Sequence, residues 1–461
     1  VMELDPLFLS RIQFAFVVSF HAIFPVFTIG LASYIALIYG LAFKTNNPKW
    51  ERLGAFWTQV FAVVFGMGVV SGIVMSFQFG TNWSNFSLAT ANFLGPVLSY
   101  EVVTAFFLEA AFLGVLLFGR GKVPNGVHFF AALMVSIGTF ISSFWILSAN
   151  SWMQTPAGVE IRDGIYHVVD WSAAIFNESF WYRFAHMGLA SFLTGGFVVA
   201  GVSAWFLIQK RDTELHRKAL SMTLWLLLFL TPLQVFIGDL HGLNTLEHQP
   251  TKVAAMEGNW ETQKGAPLLL FAIPDQEQQT NHFEVGIPKM ASFILTHDWD
   301  GEIPGVKEQP PELQPNVPIV FWSFRIMVAM GLLMVLVAVI GLFLRRNKAY
   351  MHKRWYLQTL RLMTLSPFIA VLAGWFVTEV GRAPYLIYGQ MTHAEGVTPS
   401  LTGGMALFTL IGYFLVYAFV FAAGAYYLTR VIRTGTEGTE QHDDEKHRPK
   451  RPLSAAEASF D

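Results

Sequence analysis

Apolar runs long enough to cross a membrane recur along the whole chain, with short polar segments between them. A helix needs about 20 apolar residues to cross a hydrocarbon core of roughly 30 Å. Nine segments meet this length, at residues 12–43, 55–79, 93–119, 125–149, 181–208, 219–239, 317–344, 362–381 and 402–429. The pattern predicts an all-α, polytopic membrane protein in which 1–239 hold transmembrane helices one to six and 317–432 hold helices seven to nine.

Composition supports a membrane protein and narrows its chemistry. The 461 residues are 53% hydrophobic and only 13% charged, whereas about 25% of the residues in soluble proteins are charged. The formal net charge of -2 argues against nucleic acid as a partner. The sequence holds no cysteine, which excludes disulfides, iron–sulfur clusters and thiolate-bound metals. A metal site would have to use histidine, methionine, carboxylate or backbone ligands.

The distribution of basic residues predicts the orientation in the membrane. Lysine and arginine are frequent in the loops after helices one, three, five and seven, but nearly missing from 80–92, 150–180 and 382–401. Because loops rich in these residues stay in the cytoplasm, we predict an external N-terminus and a cytoplasmic C-terminus. The long connection 240–316 then lies outside, and its apolar patches indicate an ordered element. The charged segment 433–461 is predicted to be a disordered cytoplasmic tail.

Several side chains within the predicted helices are unusual for a lipid environment. An ionisable group there costs at least a few kcal/mol and is a candidate for function. These side chains are His21, Glu101, Glu109, His186, Arg325, Met327 and Glu379. In the predicted orientation they lie toward the outer face. Glu101 and Glu109 are about two turns apart, so they are expected on one face of helix three.

Each of these residues also has an ordinary interpretation. A histidine can simply bond to a neighbouring helix, a methionine usually fills the core, and Glu379 can form an interfacial ion pair with Arg382 one turn later. As a set, two histidines, a methionine and carboxylates match the ligands of buried haem irons. The residue types alone leave open an oxygen-reducing oxidase, a dihaem quinone-linked electron carrier, and an ion transporter whose carboxylates bind cations.

Longer stretches resemble subunit I of the cytochrome bd-type quinol oxidases, from the first helix to the ninth. The segment 240–316 lacks a large insertion, so the chain resembles the short-loop branch and is compatible with the cyanide-insensitive oxidase type. The stretches that carry the resemblance are "SRIQFAFVVSFH" (10–21), "FQFGTNWS" (77–84), "YEVVTAFFLEAAFLG" (100–114), "WILSANSWMQTP" (145–156), "WYRFAHM" (181–187), "TKVAAMEGNWETQ" (251–263), "FAIPDQEQQTNHFEVGIP" (271–288), "FRIMVAMG" (324–331) and "GWFVTEVGR" (374–382).

The resemblance implies three haems. His186 and Met327 match the axial ligands of a low-spin haem b, with Arg325 beside a propionate. The resemblance also implies ligands for two high-spin haems. His21 and Glu101 match the ligand set of one haem, and Glu379, with Trp375 and Arg382 nearby, matches that of the other. One high-spin haem is a b-type haem, and the other is either haem d or a further haem b.

The resemblance also implies where quinol and protons act. Lys252 and Glu257 match the quinol-oxidation site, to which Asp239 at the end of helix six is added, and Glu109 matches the deeper carboxylate of a proton path from the cytoplasm. Electrons from quinol would reach oxygen by way of the low-spin haem and then the high-spin pair. Charge separation would generate a proton motive force without a pump. A homologous membrane subunit II is implied, a small single-helix subunit is allowed, and the location is a bacterial cytoplasmic membrane.

Three positions depart from the family pattern. The usual "GRQPW" after helix eight is "GRAPY" here, which replaces an amide by Ala383 and an indole by Tyr385. Ala110 stands where a hydroxyl residue often follows the deep glutamate. These changes fall near the expected oxygen site and the expected proton path.

Overall fold

The computed structural model describes residues 4–438, and helices dominate it. Within that range, nine helices are long and apolar enough to cross a membrane, which confirms the predicted fold class. They are Pro6–Thr45, Pro48–Thr81, Ser84–Phe118, Asn125–Gln154, Phe180–Ile208, Thr213–His248, Pro311–Asn347, Arg354–Val380 and Gly403–Thr434. A chain in hydrocarbon must satisfy its backbone groups internally, and a helix does so within one segment.

Short polar side chains set several helix starts. Asp5 accepts a hydrogen bond from the Leu7 amide, and Thr402 accepts one from the Met405 amide. The same device begins helix seven, whose continuous α-helical part is Val317–Leu344. Such caps satisfy amides that the first turn leaves without a helical partner.

Three helices differ from the simple pattern. Helix six contains Pro232 but runs on to His248, beyond the predicted end at 239, and the next proline along the chain is Pro250. Helix three contains a π-helical turn, Val102–Phe106. Helix eight is divided into Arg354–Met363 and Ser366–Val380, and its second part begins around a proline, which the first turn of a helix tolerates.

The helices pack as two groups of four. Helices one to four contact one another in a ring, helices five to eight form a second ring, and helix nine lies against helices one and two. The groups meet where helix one crosses helix five. A Cβ added to Gly30 would lie 2.1 Å from the backbone oxygen of Ser191, so only glycine permits this approach.

The long connection lies at one end of the helices, which we call the loop face. Helix six projects into it and is followed by a short helix, Pro250–Glu257. Next comes an antiparallel pair of strands, Leu268–Asp275 and Thr280–Ile287, in which Leu268 pairs with Ile287 and Phe271 with Val285.

Shorter strands and helices lie between these elements. At the loop face these are the strand pairs Val159–Arg162 with Ile165–Val168, Gln263–Lys264 with Glu302–Ile303, and Tyr385–Ile387 with Met391–Thr392, and the short helices Trp171–Ile175, Met290–Thr296 and His393–Gly396. The tail predicted from residue 433 begins as the end of helix nine, and its part from 439 onward lies outside the described residues.

Candidate functional site

Lys252 lies at the centre of a buried polar network on the loop face. Its Nζ donates to Gln154 Oε1 at 2.7 Å and to Gln249 Oε1 at 2.8 Å. The lysine is only 2% exposed, and its stem packs where a Cβ on Gly381 would be. Burial, and then the nearby arginines, hold the pKa of Lys252 well below its usual value, against the opposing effect of Glu379.

Glu379, at the end of helix eight, belongs to the same network. Its Oε1 accepts from Asn150 Nδ2 at 2.9 Å and from Gln154 Nε2 at 3.2 Å. Its Oε2 accepts from Arg382 Nη2, so the ion pair between Glu379 and Arg382, which the sequence allows, is present. Trp375 lies one helical turn before Glu379 and is half-buried.

Positive charge exceeds negative charge in this network. Arg183 and Arg382 are buried around the single carboxylate of Glu379. Nη1 of Arg382 has no hydrogen-bond partner among residues 4–438. Buried cations need counter-charges, so the surplus fits a ligand with carboxylates, such as haem propionates.

His186 and Met327 lie within the group formed by helices five to eight. A Cβ on Gly238 of helix six would lie 3.1 Å from His186 Cε1, and one on Gly374 of helix eight would lie 3.0 Å from Met327 Sδ. Nδ1 of His186 is buried and has no partner in the described part of the chain. The ring of His241 lies 5.5 Å from the His186 ring, centroid to centroid. A buried imidazole nitrogen that has no hydrogen-bond partner and lies beside glycines is typical of a metal-binding histidine.

Arg325 ties helix seven to the segment that carries Glu257. Its Nη1 donates to Met256 O at 2.5 Å, and its Nε donates to Leu269 O at 2.8 Å. Glu257 is buried, and its Oε2 lacks a partner within the residues described. Burial raises the pKa of Glu257, and the charge of Arg325 opposes this rise.

His21 is oriented by helix two. Its Nδ1 lies 2.8 Å from Ser71 Oγ, whose hydroxyl donates to Gly68 O at 3.0 Å. Since the hydroxyl proton is used there, His21 Nδ1 is the donor to Ser71, and Nε2 keeps a free lone pair. A hydrogen bond of this kind commonly fixes the tautomer of a metal-binding histidine.

Glu101 and Glu109 both face helix four. Ser142 Oγ donates to Glu101 Oε1 at 2.7 Å, and a Cβ on Gly138, one turn earlier, would lie 2.6 Å from Glu109 Cγ. Eight residues of α-helix turn by about 800°, roughly 80° past two full turns. The π-helical turn between the glutamates accommodates an extra residue and brings the two carboxylates back to one face.

Asp239 is not part of these clusters. It lies on an exposed face of helix six, within the helix rather than at its end. Conversely, the sequence reasoning did not include several polar residues of these clusters. Asn150, Gln154, Arg183 and Gln249 belong to the network of Lys252, and His241 lies beside His186. Two features of the sequence could have indicated such residues. These are the two amides at the end of an apolar helix and the run of polar residues beyond 239.

The donor sets fit haem better than a bare metal ion. In the described chain, no group of three or more histidine, aspartate or glutamate side chains could hold an ion by itself. A haem iron needs only one or two protein ligands. Isolated histidine, methionine and glutamate side chains, with more buried arginines than carboxylates nearby, match that requirement.

Known proteins share both the sequence and the fold. The model of the family "Cytochrome bd terminal oxidase subunit I" matches residues 9–436. The chain is 35% identical to cytochrome bd ubiquinol oxidase subunit 1 of Bacillus subtilis, with 95% of this chain and 96% of that protein covered. It is 31% identical to cytochrome bd-II ubiquinol oxidase subunit 1 of Escherichia coli, with 94% and 97% covered.

A solved structure agrees with these relatives. The bd oxidase from Geobacillus thermodenitrificans superimposes with a TM-score of 0.86 at 29% identity, covering 94% of this chain and 100% of that one. The resemblance inferred from the motifs is therefore confirmed. The chain belongs to the cytochrome bd terminal oxidase subunit I family.

Proposed function

We propose that this chain is the haem-bearing subunit of a membrane quinol oxidase. Two quinols would be oxidised to two quinones while one dioxygen is reduced to two waters. One observation carries the proposal: a continuous buried network joins Lys252 to Glu379 through Gln154. The network connects a site for a polar headgroup to a site for haem. The relatives named as ubiquinol oxidase subunits support the same reaction.

Lys252 and Glu257 would bind the quinol headgroup on the loop face, which we place outside the cytoplasm. The Lys252 amine, held by two glutamine side chains, donates to a quinol oxygen. The unpartnered Oε2 of Glu257 accepts a quinol proton, because a general base must lie within hydrogen-bond reach of the proton it takes. Asp239 lies on an exposed part of helix six, so we keep it as a candidate only for the approach to this site.

Three ligand sets would hold haem. His186 and Met327 bind the low-spin haem b, with Arg325 near a propionate. His21 with Glu101 binds one high-spin haem, and Glu379 binds the other, next to Arg382 and Trp375. One high-spin haem is a b-type haem, and the other is a haem d or a further haem b. When bound, haem supplies one-electron transfer at a six-coordinate iron and oxygen binding at an iron with an open position.

Glu109 and Glu101 would carry protons toward the oxygen site. They share one face of helix three against Gly138 and Ser142, and Glu109 is the nearer of the two to the cytoplasmic side. Protons released from quinol outside and protons taken up from the cytoplasm together move charge across the membrane. This arrangement is electrogenic without a pump.

The active complex would include other chains. Exposed apolar side chains cover much of helices three and nine, including Phe107, Phe408 and Phe419, and lipid or a second membrane subunit would contact these surfaces. The Geobacillus neighbour and the relatives named as subunit 1 support a homologous subunit II. A small single-helix subunit is a further candidate.

The decisive experiment is a spectrum and an activity measured on the same purified complex. We expect low-spin and high-spin haem bands, haem types identified by pyridine haemochrome analysis, and oxygen uptake driven by quinol. A preparation without a Soret band would refute every haem function and leave the ion transporter. Low-spin haem with no oxygen uptake would instead indicate the quinone-linked electron carrier.

A further inference from the structure

The strand pair Leu268–Asp275 and Thr280–Ile287, which we call the 268–287 hairpin, exposes an apolar surface at the loop face. Phe283 is 78% exposed and Val285 is 58% exposed. The other exposed apolar side chains of the hairpin are Leu270, Phe271, Ile273 and Ile287. Its turn and the adjoining strand ends, 275–282, are polar throughout. A monomeric protein in water rarely leaves a contiguous apolar patch of this kind uncovered.

The hairpin lies beside the outer part of helix seven. Leu269 O accepts from Arg325 Nε at 2.8 Å, and Gln276 Oε1 accepts from the Val317 amide at 2.8 Å. From Arg325 to the helix end at Leu344 is about 28 Å at roughly 1.5 Å per residue, close to the thickness of a hydrocarbon core. The base of the hairpin therefore lies at the level where hydrocarbon ends, with its turn farther out.

The hairpin also covers the segment that carries Glu257. Asn281 Nδ2 donates to Gly258 O at 2.8 Å, and Gly258 packs against Phe321 so closely that a Cβ there would lie 2.8 Å from the ring. The exposed side chains Ile319 and Ile326 on helix seven extend the apolar surface beyond the hairpin. The ring of Phe271 on the hairpin lies 5.3 Å from the ring of Trp322 on helix seven, centroid to centroid, so the apolar side chains of the hairpin adjoin those of the helix.

We propose that the apolar face of the 268–287 hairpin rests against the outer leaflet, where the acyl chains meet the headgroups, and forms the side entrance through which a long-tailed quinol reaches Glu257. The occupant is lipid because the surface is apolar, lies at the depth of the hydrocarbon boundary, and continues onto a membrane-spanning helix. A quinol tail stays in the adjoining acyl chains while its headgroup moves to the buried carboxylate. The entrance part of this proposal rests on the proposed function, whereas the lipid contact does not.

Nitroxide labels test the lipid contact directly, since the chain has no native cysteine. The intact complex in liposomes would carry a label at Phe283→Cys or Val285→Cys, with Glu277→Cys in the polar turn as the matched control. We expect collisions with oxygen to dominate at 283 and 285, and collisions with a polar nickel chelate to dominate at 277. Free access of the nickel chelate to all three labels would overturn the proposal, and so would shielding of 283 and 285 from both reagents, which would indicate a protein partner.

Quinol kinetics test the entrance. Val285→Glu should raise KM severalfold for a quinol with a long isoprenoid tail and leave KM for a tailless quinol unchanged, with Glu277→Gln as a control that changes neither. An equal effect on both quinols, or no effect, would refute the entrance. If the unaltered complex oxidises no quinol, the proposed function and the entrance both fail, while the label measurements still decide the lipid contact.

Discussion

Gln154 accepts a hydrogen bond from Lys252 at 2.7 Å through its side-chain oxygen. The same oxygen accepts from Gln249, and the amide nitrogen of Gln154 donates to Glu379. Gln154 is 0% exposed, so water does not compete for these bonds. One amide at the end of helix four therefore fixes the relative positions of the candidate quinol-site lysine and the candidate haem-site carboxylate.

Gln154→Leu is expected to impair quinol oxidation. The substitution keeps the approximate volume but leaves Lys252 with one acceptor fewer, and an unsatisfied buried polar group costs about 1–3 kcal/mol. We expect kcat/KM for quinol to fall roughly tenfold to a hundredfold, with haem content retained because Glu379 keeps two partners. The matched control is Gln78→Leu, since Gln78 is equally buried and its side chain has no partner within residues 4–438. Equal losses in both variants would show that Gln154 has no special role.

Glu379→Ala is expected to deplete high-spin haem and stop oxygen reduction, while the low-spin band persists. An anionic ligand is stabilised by the positive charge of a ferric haem, and alanine cannot replace it. The structure also pairs Glu379 with Arg382, so the single variant leaves a buried arginine without its counter-ion.

The double variant Glu379→Ala with Arg382→Met separates ligation from ion pairing, with Arg382→Met alone as its control. If Glu379 serves only as an ion-pair partner, the double variant should retain as much high-spin haem as Arg382→Met. If Glu379 is a ligand, high-spin haem should be lost whenever Glu379 is absent.

His186→Ala and Met327→Leu are each expected to remove the low-spin haem spectrum. Loss of one of the two proposed axial ligands would leave the iron five-coordinate and no longer low-spin. The reduced-minus-oxidised spectrum measures this change. His248→Ala is the control, because His248 lies at the same end of the helices but pairs with Glu178 at 2.6 Å. An unchanged low-spin band in either ligand variant would contradict the assignment.

Quinol oxidation is expected to lose activity as the pH falls through the pKa of Glu257. That group must be deprotonated to accept a proton, and burial raises its pKa. The charge of Arg325 opposes the rise, so Arg325→Gln should raise the pKa further and move the acid limb of kcat/KM to higher pH. Arg345→Gln, at the other end of helix seven, should leave the limb in place. An acid limb that persists in Glu257→Gln would assign it to another group.

The loop face is expected to be outside the cytoplasm. Asp300→Cys and Asn347→Cys place single thiols at exposed positions near opposite ends of helix seven. An impermeant maleimide applied to intact cells should label residue 300 and leave 347 unlabelled until the cells are opened. Labelling of 347 alone would reverse the orientation predicted from the basic residues.

The sequence alone determined the number of membrane helices and the residues that needed an explanation inside them. Both depend on local properties: the length of an apolar run and the cost of an ionisable group in lipid. The same reasoning ended helix six too early, because the polar residues after 239 resembled a loop. Helix six continues to His248 in the structure, where its end packs against helix Pro250–Glu257.

Only the tertiary structure decided which groups satisfy one another. The sequence shows that Glu379 needs partners, but Asn150 and Gln154 come from helix four, more than 200 positions earlier. Likewise, Glu101 and Glu109 share a face because the π-helical turn and Gly138 of helix four allow it. A buried polar group must have a hydrogen-bond partner, and the residue type alone shows that a partner is required. The identity of the partner depends on how distant helices pack, which no local pattern contains.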